Sequence, residues 1–389
     1  MRKLVTKRTI SELKPIEGAD NIVAAVVDGW EVVVKKGEFN QGDECVFFEI
    51  DSFLPANDPR YEFLHKTGIK QVDGIGRIRL RSVRLRKQLS QGLALPINLF
   101  PEVISNEELE DYSEVLNVTK YERPEPKAPG AAGNFPTWIR KTDEERIQNI
   151  QRTYERDYSD VEFVPTLKLD GTSTTLSFLL PNQADKWLTD TPDTNESEDS
   201  VGEVSSASSE DVVSNQAPKF INVDKDGIVG QFILCSRNLM IRINPDSHYT
   251  KAVQPYMDAL AKMATDLGES IALQGETMGE GIQGNPEQFS KYEFFAFNLY
   301  SIDRGEYFSF DKTQELLNKY GIQSVPVLGE PVKVFKEFKT VNDFLTHAEG
   351  KSINAQIREG VVWKSVGITP PVSFKAISNE FLLKVEGNQ

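Results

Sequence analysis

The sequence predicts a two-domain α+β protein, with a small N-terminal β-barrel ahead of a larger domain in which strands dominate and helices flank them. Three observations predict it. Residues 1 to about 118 break into short β-rich runs separated by turn signals. A Pro/Gly-rich stretch, residues 122–133, follows and reads as a linker. From Val161 onward, strand-like runs are interrupted by helical stretches near residues 251–267 and 341–348.

Residues 22–27, 30–34 and 44–50 are rich in β-branched and aromatic side chains. Asp28-Gly29 between the first two is a hairpin signal, and Gln41-Gly42-Asp43 marks another turn. Arg77-Ile78-Arg79-Leu80-Arg81 alternates with period 2, so one face would be basic and the other apolar. Several strands in so short a span suggest a barrel or sandwich, and an OB-like barrel is one candidate. The domain limits are read as 1–120 for the barrel, 121–135 for the linker and 136–389 for the second domain. Thr142-Asp143-Glu144-Glu145 reads as a capping box that opens a helix through Ile147 and Ile150, with Arg146 inside it. An acidic insertion is read at 182–217. Its acids, from Asp185 to Asp211, stand among Ser and Thr with few large apolar groups, so disorder is expected.

Composition narrows the function classes. A chain of 389 residues can bury sizeable cores. No apolar run is long enough to span a bilayer, so no membrane role is expected. The basic start, Met1 to Arg8, lacks the apolar core of a signal peptide. Cys45 and Cys235 are the only cysteines, which argues against a disulfide scaffold or a Cys-rich zinc site. An intracellular protein, cytoplasmic by default, is expected. His65, His248 and His347 are far apart, so a His-rich metal site and Ser-His-Asp chemistry are disfavoured. The net charge of −15 argues against nucleic acid, but its distribution does not. From Lys66 to Lys87, eight basic residues face only Asp73. Local positive potential, rather than the sum, governs phosphate binding.

The chemistry-bearing motif is Lys168-Leu169-Asp170-Gly171 at the end of a strand-like run. A lysine withdrawn from water can lose its proton near neutral pH and act as a nucleophile. Asp170 can steer the amine or a metal ion, and Gly171 permits a sharp turn near a ligand. Five further stretches follow in order. They are Ile233 to Asn238, which ends a strand in Arg237; Ala272 to Glu276, which ends in a carboxylate; and the aromatic run Tyr292 to Asn298. Arg358 to Lys364 then carries Glu359 at a strand start, and Val372 to Ile377 with Phe381 to Lys384 supplies Lys375 and Lys384. Gly279-Glu280-Gly281-Ile282-Gln283-Gly284 matches G-x-G-x-x-G, but Asn285-Pro286 follows where a dinucleotide site needs a helix. Taken singly, these residues also fit bland roles. Lys168 would be a surface lysine, Phe297 a core aromatic, Arg237 an ion-pair member and Arg77 to Lys87 a charged edge strand.

The ordered set resembles the covalent nucleotidyltransferases, that is, ATP-dependent polynucleotide ligases and mRNA-capping enzymes. It is most similar to ATP-dependent RNA ligases that join 3′-OH and 5′-phosphate ends. The run Gly275 to Asn285 ahead of Phe295-Ala296-Phe297 resembles the RNA-ligase form of these motifs, and a leading OB module fits that branch. The resemblance implies a C-terminal nucleotidyltransferase domain of antiparallel sheets with flanking helices. It also implies ATP as substrate, Mg2+ or Mn2+ as cofactor, and a monomer acting in RNA repair. Lys168 would form lysyl-AMP, Arg237 would contact phosphate or ribose, Glu276 the ribose hydroxyls and Phe297 the adenine. Glu359 would hold the metal with Asp170 near it, and Lys375 and Lys384 would neutralise phosphate charge. Arg146 is a candidate to reach the ATP phosphates, and Arg77, Arg79, Arg81, Arg84 and Arg86 are candidates for RNA phosphates. The chain departs from the family pattern at Ile377, where a second lysine is usual, and at Asn298, where aspartate is usual. A DNA ligase and a non-catalytic nucleic-acid-binding protein are the alternative readings.

Overall fold

The computed structural model describes residues 2–72, 74–121, 130–181 and 217–387. Residues 182–216 of the expected acidic insertion and residues 122–129 of the expected linker lie outside the described residues.

The barrel is organised by one long strand, Val5–Pro15, that serves two neighbours. Its first half pairs with Glu44–Phe48 and its second half with Ile22–Val27, all antiparallel. A register shift between Ile10 and Glu12 bends the strand from one partner to the other. Trp30–Lys35 completes the predicted hairpin, and Asp28 in its turn takes a φ of 53°. Leu93–Pro96 forms the other edge of this five-stranded sheet. A second antiparallel sheet runs in the order Thr119–Lys120, Ser52–Pro55, Ile75–Arg79, Lys70–Val72. Val5, Phe48, Leu54, Tyr61 and Ile78 from this region share one buried cluster, which is the barrel interior expected from the alternation.

The second domain holds two sheets. The eight-stranded sheet runs Ala131–Asn134, Leu239–Ile241, Ile228–Cys235, Thr172–Leu179, Ile271–Met278, Glu293–Ser301, Glu306–Tyr307, with Ile221–Lys225 also on Ile228–Cys235. The four-stranded sheet runs Glu145–Arg146, Ser373–Ile377, Gly360–Ser365, Phe163–Lys168. Helices His248–Val253 and Met257–Leu267 cover one face of the larger sheet through residues that include Leu260, Met263 and Ala264. Helices Ile147–Tyr158 and Val341–Ala348 cover the smaller one, against Phe163, Trp363 and Phe374. Leu167, Leu169, Met278, Phe295 and Val325 join the two sheets beneath the site.

Two local expectations are corrected. Residues 131–134 are not linker but an edge strand, because Ala131–Asn134 finds backbone partners on Leu239–Ile241. Thr142 to Glu145 is not a capping box. The helix starts at Ile147, Arg146 is its N-cap without a side-chain cap bond, and Glu145–Arg146 pairs in parallel with Phe374 and Lys375. Pairing across the chain overrides the local cap signal. The helix Val341–Ala348, by contrast, carries a complete capping box from Thr340 and Asp343.

The domains touch through polar and apolar contacts. Asn149 Oδ1 accepts from the Trp30 ring nitrogen at 2.9 Å and from Arg8 at 3.1 Å. Ile377 and Leu382 from the second domain lie in the same cluster as Trp30 and Phe47 of the barrel. Cys45 and Cys235 are buried free thiols in different domains. Among the described residues, no helix is long and apolar enough to cross a membrane.

Candidate active site

The two sheets of the second domain form adjoining chambers of about 100 and 310 Å3. Both are lined by Asp143, Lys168, Leu169, Arg237, Glu276 and Lys375. The smaller also takes Phe297, Val362 and Lys364, and the larger takes Asp170, Glu359, Arg146 and the barrel residues Asp51, Arg79, Lys120 and Tyr121.

Lys168 ends the strand Phe163–Lys168, opposite Gly360 in the antiparallel register. Its Nζ lies 2.6 Å from Glu359 Oε2. Gly360 lets that strand start close in, since a Cβ there would lie 2.2 Å from the Ala376 carbonyl oxygen. Gly171 serves the same end on the other side. A Cβ there would meet Met278 Sδ and Thr277 O at 2.4 Å, and its N–H donates to Glu276 Oε1 at 3.2 Å. The Lys-x-Asp-Gly turn is thus pressed against the strand that carries Glu276. Glu276 stands inside Ile271–Met278 rather than at its end.

Phe297 enters the pocket through a bulge. Gln274 pairs with Asn298 and Gly275 with Ala296, which leaves Phe297 as the extra residue. A bulge re-aims its side chain away from the sheet alternation. Arg237 is exposed in the turn after Ile228–Cys235, closed by the Ser236 N–H donating to Leu239 O at 2.8 Å.

The electrostatics correct one expectation. Burial alone would favour a neutral Lys168. Glu359, Glu276 and Asp170 outweigh it and hold the lysine above its ordinary pKa, so the free chain keeps it charged. Glu276 is pushed up to about 8, mainly by burial and further by Glu359 and Asp170, against the pull of Lys168. Lys375 falls to about 8 because burial disfavours its charge, with Arg146 and Lys168 adding to the fall and Asp143 opposing it. Asp143 goes the other way. Burial opposes its charge, but Lys375, Lys120 and Arg237 hold it at about 2.

The structure also adds residues. Lys364 is buried, and its Nζ donates to Phe297 O at 2.6 Å and to Asn298 Oδ1. Burial lowers it to about 8. Its position was readable in part, since Gly360, Val362 and Lys364 share one face of their strand by period 2. Asp143, Lys120, Asp51 and Tyr121 carried no sequence signal, because only tertiary pairing brings them here.

The five barrel arginines separate. Arg77 is corrected to a structural role. It is buried and donates to Phe53 O at 3.3 Å, to Asn117 Oδ1 at 3.0 Å and to Asn117 O. Arg79 faces the larger chamber, pairs with Asp51 at 2.7 Å and stacks 4.2 Å from the Tyr121 ring centroid. Arg81 is half-buried, and Arg84 and Arg86 are exposed on the hairpin of Val83–Leu85 and Gln88–Ser90. Arg146 is buried at the chamber edge, 4.0 Å from Asp51. Lys384 stands exposed on the helix Asn379–Gly387 and does not line either chamber, so its expected phosphate role loses its geometric basis. The G-x-G-x-x-G run forms turns with no helix following, as expected.

Among the described residues, no cluster of three His, Cys, Asp or Glu could by itself hold a metal ion. One or two carboxylates beside a phosphate-sized chamber suit a hydrated Mg2+ or Mn2+ shared with a nucleotide.

Comparison with known proteins gives a consistent picture. An OB-fold domain model matches residues 4–97, and the RNA ligase family model matches residues 161–385. No curated protein sequence matches the chain. Among solved structures, the RNA ligase of Naegleria gruberi with PPi is similar over 100% of both chains, at 34% identity and a TM-score of 0.77. Two mutants of that ligase, one with ATP and Mn and one with AMP and Mn, are similar over 98% of this chain and 99% of theirs, at the same identity and TM-score.

Proposed function

From a chain that belongs to the RNA ligase family, with an OB-fold ahead of the ligase domain, we infer an ATP-dependent RNA ligase that uses Lys168 as its nucleophile. The observation that carries this reading is the convergence on one chamber of Lys168, Glu276, Arg237 and Lys375, with Phe297 on the smaller side. The family assignment favours RNA over the DNA-ligase and non-catalytic alternatives.

The residues divide the work as follows. Lys168 Nζ attacks the α-phosphorus of ATP. An N–P bond forms, the bond to the bridging oxygen breaks, PPi leaves and the amine gives up a proton. An RNA 5′-phosphate oxygen then attacks the same phosphorus and returns the lysine. Finally the RNA 3′-OH attacks the 5′-phosphate and AMP leaves. Phe297 and Val362 flank the base, an arrangement suited to an aromatic face. Glu276 accepts from the ribose. Arg237, Lys375 and Arg146 and, from the barrel side, Arg79 and Lys120 meet the phosphates. Glu359 and Asp170, which line the same chamber, would hold Mg2+ or Mn2+, and the ion would supply positive charge against the phosphates. The substrate is RNA with 3′-OH and 5′-phosphate ends, repair by a monomer is the proposed role, and an intracellular setting fits two free buried thiols. Sealing of a nicked duplex with such ends, given ATP and Mn2+, tests the reading. Failure to seal and to take up label would overturn it.

Two expectations arise from this geometry. Burial lowers Lys375 to about 8 in the free chain, and phosphate beside it favours the charged form. ATP binding at pH 8.5 should therefore take up protons, and Lys375→Ala should reduce the uptake. Calorimetry in two buffers of different ionisation enthalpy, in a Lys168→Ala background, measures it. Equal uptake in both proteins would remove Lys375 from the phosphates.

The barrel arginines should also divide. Arg79→Ala is expected to lower self-adenylylation and sealing together, because Arg79 shares the chamber with Lys168. An Arg84→Ala/Arg86→Ala variant should leave ATP labelling intact but weaken RNA binding. Its log-log salt slope should flatten by about 0.7 to 0.9 for each RNA phosphate that is no longer neutralised. Binding and labelling across a salt series check both, and unchanged slopes would make these two arginines a solvated hairpin.

A further inference from the structure

We propose that Glu287 is a positioning residue that sets the placement of the metal-facing carboxylate Glu359, by tying together the loops that follow Glu276 and precede Glu359. The proposal rests on the assignment of Glu359 to the metal.

Glu287 is only 2% exposed, which is unusual for a carboxylate. Its Oε2 accepts from the backbone N–H of Asn354 at 2.6 Å and of Ala355 at 3.0 Å. Its own carbonyl accepts from Asn354 Nδ2 at 2.9 Å. One residue therefore answers three donors from a single turn of the opposite loop. A buried carboxyl group is tolerated only when it is hydrogen-bonded in this way.

The loop before Glu359 is also closed by its own backbone, with Arg358 N–H donating to Gly350 O at 2.8 Å at its base and Ser352 N–H to Ala355 O at 2.9 Å within it. The Arg358 guanidinium fastens the same base to the end of the helix Val341–Ala348, donating to Ala348 O at 3.0 Å, Glu349 O at 2.8 Å and His347 O. Glu359 is the next residue. On the other side, Asn285 and Phe289 exchange two bonds of 3.0 Å, and the Phe289 ring lies 5.8 Å from Phe295. That ring packs in the cluster of Leu167 and Leu169, which flank Lys168. Gln283 of this loop lines the larger chamber. Glu287 is thus the link between a loop seated under the nucleophile and a loop that ends at Glu359. Its removal leaves the Asn354 and Ala355 N–H groups without their acceptor and frees the turn within the loop that leads to Glu359.

The test is Mn2+ binding to the full chain with AMP, read from the loss of the free-Mn2+ electron paramagnetic resonance signal. Thermal melts run in parallel. Glu287→Ala should raise the Mn2+ dissociation constant several-fold, less than the roughly 10- to 100-fold loss seen when a direct partner of a metal ligand is removed, because Glu287 acts through the loop that leads to Glu359. Glu287→Gln keeps an acceptor oxygen and should recover part of the loss. Mn2+ affinity unchanged in a folded Glu287→Ala protein would overturn the proposal and leave Glu287 a loop staple. Should the alanine variant not fold, Glu287→Gln decides, with an affinity equal to wild type overturning the proposal. Glu359→Ala is the control. If it leaves Mn2+ binding unchanged, the assignment of Glu359 to the metal fails and the proposal falls with it. If it weakens binding while the Glu287 variants do not, only the positioning role is lost.

Discussion

Lys168→Ala abolishes covalent labelling of the protein by α-labelled ATP while ATP binding persists. Lys375 and Lys364 share the pocket, but Lys364 is held by Phe297 O and Asn298, and Lys375 faces Asp143 at 3.4 Å. Lys168→Arg should fail as well, because a guanidinium does not deprotonate in a protein. The wild-type label should be acid-labile and alkali-stable, as a P–N bond is. The electrostatics add a condition. Three carboxylates keep Lys168 charged in the free chain, and a charged amine is no nucleophile. Labelling should therefore need divalent metal, which gives those carboxylates another cation to face. Denaturing gels with and without metal, and calorimetry of ATP binding on the alanine variant, check both parts. Labelling of the alanine variant would move the nucleophile elsewhere, and loss of ATP binding would make Lys168 a ligand contact before anything else.

What could be read from the sequence follows from the range of the interactions. The hairpin at Asp28-Gly29 and the helix at Val341–Ala348 were legible because neighbours in sequence determine them. Lys168, Glu276, Glu359 and Lys375 were legible because each sits in its own short motif, and the structure brings all four to one cavity. The errors share one cause. Thr142 to Glu145 has the composition of a cap, yet strand Ser373–Ile377 captures Glu145–Arg146. Arg77 has the alternation of a surface residue, yet the carbonyls of Phe53 and Asn117 draw its guanidinium inside. A lysine between apolar neighbours suggests a lowered pKa, yet the three carboxylates around Lys168 reverse the sign. Each time, a partner distant in sequence decides, and period or propensity carries no information about it.

Glu359→Ala should lower self-adenylylation by about 100-fold or more, the loss seen when one preorganised electrostatic group is taken from a site. Two opposite consequences follow from the same ion pair, so the sign of the result is informative. Glu359 lies 2.6 Å from Lys168 and is the largest attraction that keeps the lysine charged. Were restraint of the nucleophile its only role, its removal would lower the lysine pKa and speed labelling. If it also holds the metal, removal takes away positive charge where negative charge builds on the phosphates. That second effect should win. The pKa relief makes a reactive amine more common, but it does nothing for the leaving PPi. Extra metal should not fully restore the rate, because a hydrated ion with few protein ligands depends on each of them. Glu359→Gln should behave like alanine, since it keeps the shape and loses the charge. Labelling rates across a Mn2+ series for the three proteins settle the matter. A rate equal to or above wild type in Glu359→Ala would leave it as a partner of Lys168 alone and pass the metal to Asp170 and Glu276.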